Sequence, residues 1–113
     1  MSDAWLIPFA AFRDGVEADV DRAFVGLRHG TMRTLLYAPN GPDLQRPHRQ
    51  DELYIIQSGS GVFFKNGESR PFGPGDVIFV EAQAEHRFEA FTADFAAWAV
   101  FWGPAGGEAQ ERP

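Results

Sequence analysis

Residues 47–61 read PHRQDELYIIQSGSG, in which a histidine, a glutamine and two acids run straight into an apolar segment that closes on glycines. Leu53–Gln57 has the β-branched and aromatic character of a strand, and the SGSG at 58–61 has that of a turn. His48, Gln50, Glu52 and Tyr54 fall at even spacing. An extended chain projects all four to one face, with neighbours ~6–7 Å apart. Imidazole and carboxylate on one face suit a single ion, bound at ~2.0–2.1 Å by nitrogen and ~2.0–2.2 Å by oxygen. A third donor must come from elsewhere, and the chain has 3 histidines in all. His29 sits in the turn sequence RHGT, whereas His86 opens the apolar run HRFEAF and is the better candidate.

Outward from this stretch the pattern repeats. Short apolar runs are punctuated by 12 glycines and 8 prolines, the spacing of an all-β sandwich or barrel. Strands are predicted at 23–28, 32–37, 53–57, 61–65, 77–80, 86–91 and 95–102. Asn66-Gly67, between VFFK and SRPF, favours a two-residue hairpin turn. No helical period exceeds ten residues; a short helical turn is expected near 16–23. These readings divide the chain into an N-terminal extension packing on the barrel (1–22), the barrel (23–103) and a polar tail expected to be disordered (104–113). In WAVFW, Trp98, Val100 and Trp102 share one face and Ala99 and Phe101 the other. Both faces are apolar, so this strand is expected to pack inward on one side and against a partner subunit on the other.

Composition narrows the function. At 113 residues the chain is one domain, long enough to bury roughly 65% of its unfolded surface. It has no cysteine, so disulfides and thiolate metal sites are excluded. A net charge of −6 with dispersed arginines argues against a nucleic-acid surface. No apolar run approaches the ~20 residues of a membrane span, and Pro8 interrupts a start that lacks a basic signal-peptide segment. The expectation is a soluble, cytoplasmic protein with no membrane partner.

His48-x3-Glu52-x6-Gly59, followed by Pro74-Gly75-Asp76 and then His86, resembles the two motifs of the cupin superfamily. The resemblance spans about 34–103. It implies a single-domain, all-β cupin-type β-barrel, a jelly-roll-like double-stranded β-helix, in a subfamily of small conserved barrels that commonly form homodimers. It also implies one divalent metal ion (Fe, Mn, Ni or Zn) held by His48, Glu52 and His86. Arg46 stands where the family's leading histidine is expected, which leaves two histidines and one carboxylate, with Gln50 as a hydrogen-bonding group beside them or, as the alternative, an auxiliary oxygen donor. Glu81 and Gln83 replace the second motif's proline and glycine, and Ala90 its closing asparagine.

Around this set, Tyr37, Tyr54, Phe88, Trp98 and Trp102 are candidates to line a small-molecule pocket, with core packing as the alternative for each. Arg46, and with it Arg33, suits a substrate carboxylate or phosphate. Two functions follow: a metalloenzyme of oxygenase or isomerase type, or a non-catalytic ligand-binding or sensing barrel in which an Arg46–Glu52 pair replaces the metal. Asp51 and Glu52 point to opposite faces and do not form an acid–base pair. The SGSG serines lack a nearby base, and no phosphate-cradling loop precedes a helix.

Overall fold

The computed structural model describes residues 4–109. One helix, α1 (Phe9–Ala18), precedes eight strands: β1 (Ala23–His29), β2 (Met32–Tyr37), β3 (Asp51–Ser58), β4 (Gly61–Lys65), β5 (Glu68–Phe72), β6 (Val77–Val80), β7 (His86–Glu89) and β8 (Ala96–Trp102). They form a larger sheet in the order β1-β2-β8-β3-β6 and a smaller one in the order β5-β4-β7. Every strand pairing is antiparallel, and the two sheets enclose a common core. The expected all-β barrel is what the chain forms. Among the described residues no helix is long and apolar enough to cross a membrane.

Alternation decides what enters that core. β3 turns Glu52, Tyr54 and Ile56 inward, and β8 turns Ala97 and Ala99 inward, all buried. These small alanines leave the centre to Phe88, whose ring meets Phe95 at 4.6 Å, Tyr54 and Phe63 at 4.8 Å, and Phe72 at 5.4 Å. Burying such a ring is worth ~1.5–3 kcal/mol. Each edge or tilted aromatic pair adds ~0.5–1.5 kcal/mol.

Two features of the motifs are explained locally. Asn66 (φ 48) and Gly67 (φ 86) join the paired residues Lys65 and Glu68 in the expected two-residue turn. The SRPF arm of this hairpin becomes β5, a strand absent from the sequence reading; its Pro71 is tolerated because β5 is an edge strand. Gly59 has φ 80, and a Cβ there would lie 2.5 Å from Phe95 Cα, so no side chain fits.

The helix lies earlier than the turn expected at 16–23. It begins directly after Pro8, and Phe12 and Val16, one turn apart, share its buried face. They join Leu36, Ala38 and Ala96 in a second core cluster. Trp98 packs there too, with ring centroids 4.8 Å from Phe12 and 5.8 Å from Phe9. The outward face of β8, expected to need a partner subunit, is thus covered at Trp98 by the chain's own helix. Farther along the same sheet Val77, Phe79 and Ile55 remain exposed. The expected disordered tail is partly fastened: the Gly106 N–H donates to the Arg49 carbonyl at 2.7 Å, and the Glu108 N–H to Asp51 Oδ2 at 2.9 Å. Residues 110–113 lie outside the described residues.

Candidate metal centre

Three elements deliver the site. Glu52 projects inward from β3, between Phe101 of β8 and Val80 of β6. His86 opens β7 on the opposite sheet, paired with Lys65 of β4. His48 comes from the segment before β3. Glu52 and His86 are each 1% exposed, while His48 is half-buried. The Nε2 of His48 lies 2.8 Å from Glu52 Oε1, and that of His86 lies 3.5 Å from the same oxygen. One ligand atom from each residue falls within 4.8 Å of the others.

Backbone carbonyls orient both rings. His48 Nδ1 lies 2.8 Å from the Gln50 carbonyl, and His86 Nδ1 lies 2.9 Å from the Ala84 carbonyl. A carbonyl only accepts, so each Nδ1 donates and each Nε2 is turned to the cluster, where it donates to Glu52 when protonated and offers its lone pair to a cation when not. This is the arrangement that orients metal-ligating histidines. Phe101 places its ring edge-on to His48 at 4.7 Å. Gln83 also holds the segment, since its N–H donates to the His48 carbonyl at 2.7 Å.

The electrostatics favour a cation. Burial alone would raise the Glu52 pKa, but the two imidazoles outweigh it and hold the carboxyl below its ordinary range. Burial alone would lower the His86 pKa, but Glu52 and the Ala84 carbonyl outweigh it and raise it. Two Nε2 atoms and a carboxylate converge, and His86 Nε2 is the buried side-chain atom left without a hydrogen-bond partner among the described residues. Such an orphan is costly unless a cation completes it. The donor set and its spacing therefore fit a divalent metal ion.

The other expected residues are distributed differently. Gln50 is engaged elsewhere: its Nε2 donates to the carbonyls of Thr31 and Gly103, and its Oε1 accepts from Arg33. The even-spacing argument fails for it because β3 begins only at Asp51. Arg46 is exposed and forms no ion pair with Glu52. Tyr54 and Phe88 are fully buried in the core. The Tyr54 hydroxyl donates to Gln45 at 2.9 Å, and burial raises its pKa well above the usual value, so it stays a neutral donor. Tyr37, half-buried, donates to Asp43 at 2.6 Å. Trp98 and Trp102 lie on the sheet's outer face, Trp102 6.3 Å from Phe79, and do not reach the cluster.

Sequence reasoning missed Phe101 and the buried Asp43. Register supplies the first, since Phe101 pairs with Glu52 and must share its face. Nothing local signals the second. A groove of about 550 Å³ between edge strands β5 and β6, lined by Lys65, Arg70, Phe72 and Ile78 among others, does not include the cluster.

Residues 33–102 match the cupin domain family, and the chain belongs to it. It is 34% identical over 80 residues to an uncharacterized protein of Streptomyces coelicolor, covering 69% of this chain and 76% of that one. Among solved structures it is similar to a cupin 2 conserved barrel domain protein from Salinispora arenicola, with TM-score 0.62, 24% identity, and coverage of 73% of this chain and 75% of that one. It is also similar to a nucleoside dehydratase from Streptomyces, with TM-score 0.57, 21% identity, and coverage of 77% and 70%. At these identities the structural likenesses speak for the fold.

Proposed function

We propose that this cupin holds one divalent ion through His48, Glu52 and His86 and acts on a small molecule bound at the barrel mouth. The observation that carries the reading is the convergence of two Nε2 atoms on one carboxylate, with His86 Nε2 buried and otherwise unpartnered. Two nitrogens and one oxygen suit iron, manganese, nickel or zinc and leave coordination positions open. When bound, such an ion supplies Lewis-acid polarisation of a substrate oxygen or a site for dioxygen chemistry. The protein's own part is positional. The Gln50 and Ala84 carbonyls fix the tautomers, Phe101 shields His48 on one side, and the half-buried His48 marks where a ligand enters. Metal-dependent enzymes of isomerase or oxygenase type meet this description. The exposed Val77, Phe79 and Ile55 on the outer sheet support a homodimer.

The test is elemental analysis of protein purified without chelator, beside His48→Ala. Near-stoichiometric metal in the parent, lost in the variant, is the expected result. A parent that stays empty after incubation with each of the four ions would overturn the metal reading and favour a metal-free ligand-binding barrel.

A further inference from the structure

We propose that Arg28 and Arg33 form an oxyanion site at the barrel mouth, so that the molecule taken up carries a carboxylate or phosphate. The relation of this site to the metal rests on the reading of His48, Glu52 and His86 above; the arginine pair itself does not.

Strand register places the two side chains. Arg28 of β1 pairs directly with Arg33 of β2, Arg33 with Phe101 of β8, and Phe101 with Glu52 of β3. Directly opposed residues share a face, so the row runs along the inner face of the larger sheet to the metal ligand. Adjacent strands are ~4.8 Å apart, which sets the Arg33 backbone about 10 Å from that of Glu52. The Arg33 guanidinium lies 4.5 Å over the Phe101 ring, whose edge in turn meets His48. One aromatic ring separates the cation from a metal ligand.

Like charges directly opposed across a ladder are unfavourable, and here nothing among the described residues neutralises them. Arg13, Lys65, Arg70 and Arg87 each pair with a carboxylate, and Arg22 donates to the Ala38 carbonyl. The described arginines left without such a partner are Arg28 and Arg33, on either side of the β1–β2 turn, and Arg46 and Arg49, in the segment that leads into β3. Acids are not scarce, since the chain has 16 acidic against 10 basic residues. Positive charge has been left unpaired on the β1–β2 hairpin of an acidic protein. Arg33 is also preset: one N–H donates to Gln50 Oε1 at 3.2 Å, and Gln50 is itself anchored to the Thr31 and Gly103 carbonyls. A guanidinium presents its donors in a planar fork that matches an oxyanion, and those left on Arg33, with those of exposed Arg28 across the ladder, are available for one.

Inorganic phosphate and succinate, each titrated calorimetrically into the full chain at constant ionic strength with sodium chloride as control, test the site and separate the two anion classes. At least one is expected to bind, and Arg28→Gln/Arg33→Gln to weaken that binding roughly tenfold or more. Arg70→Gln, at an ion pair on another sheet, should bind as the parent does. His48→Ala should lose metal yet keep anion binding, which separates failure of this site from failure of the metal reading and excludes direct ligation of the anion. Should the double variant fold poorly, the parent's arginine Nε–H resonances decide: phosphate or succinate should shift those of Arg28 and Arg33 but not Arg70. Parent-like binding by a folded double variant, or no response of the parent to either anion beyond that to chloride, would overturn the proposal.

Discussion

His86 belongs to the smaller sheet and Glu52 to the larger, yet His86 Nε2 and Glu52 Oε1 stand 3.5 Å apart across the barrel interior. This is where the two sheets exchange charge, and its stability is linked to pH. The Glu52 carboxyl is held below 4.5, so its contribution is present above that value and is lost as pH falls through the folded pKa. His86 is raised above 6.5, so its contribution is fully present below 6.5 and is lost as pH rises through the folded pKa. Chelator-treated protein is therefore expected to melt highest between those two values and lower on both sides. Saturating metal should remove the alkaline decline, because the ion takes over the role of the imidazolium proton. Thermal scans from pH 4 to 9 with and without chelator check this; a metal-free melting point that climbs steadily to pH 8 would contradict it.

Asp43 governs how the segment before β3 is fixed. Though it sits in a loop it is 6% exposed, and its carboxylate accepts from Tyr37 at 2.6 Å and from the Phe88 N–H and Gln45 Nε2 at 2.8 Å. Tyr54 in turn donates to Gln45, so one loop carboxylate ties β2, β7 and β3 together. Asp43→Ala leaves a buried N–H and a phenol unpartnered and should cost about 2–4 kcal/mol. Asp43→Asn, which keeps one accepting oxygen, should cost less. Urea unfolding of the two variants measures the difference, and equal losses would show that packing, not the carboxylate, holds the loop.

The second-motif substitutions carry a measurable strain. Gln83 has φ 69 and Ala90 has φ 47, so the left-handed backbone that glycine or asparagine normally takes is retained with side chains ill-suited to it. Gln83→Gly preserves the N–H bond to the His48 carbonyl, which is a backbone bond. Relief of strain, less the added unfolded-state entropy, should stabilise the protein by about 0.5–1 kcal/mol. A lower melting point in Gln83→Gly would mean that the side chain makes contacts outweighing the strain.

The strand pattern was legible because it rests on local signals: turn residues, alternation, and glycine at a position that rejects a Cβ; His48, which precedes β3, was legible with His86 through the spacing of the two motifs rather than through alternation. Met32–Tyr37, Gly61–Lys65 and Val77–Val80 fall where the sequence puts them. Of its two expected roles Gln50 takes hydrogen bonding rather than ligation, because face-sharing holds only within a strand and the chain is still bent at 49–50. Arg28 and Asp43 were not legible at all. One gains its neighbour through a register set after a bulge between Val25 and Leu27, the other through a hydrogen bond to Phe88, 45 residues on.

Trp98 and Phe101, three positions apart on β8, should separate stability from metal binding, because they occupy opposite faces. Trp98 anchors α1 through Phe9 and Phe12. Its truncation to alanine should cost about 2–3 kcal/mol, below the ~3–5 kcal/mol of a fully buried ring, with metal content unchanged. Phe101 lies between Arg33 and His48. Phe101→Ala frees the His48 ring on one side, and metal affinity should fall by roughly 10–100-fold, the usual effect of removing a group that orients a ligand. Metal titration and urea unfolding of both variants give four numbers, and the pattern matters more than any one of them. If Trp98→Ala lost metal as readily as Phe101→Ala, the cluster would be sensitive to global loosening, and the case that β8 orients it from the inner face alone would fail.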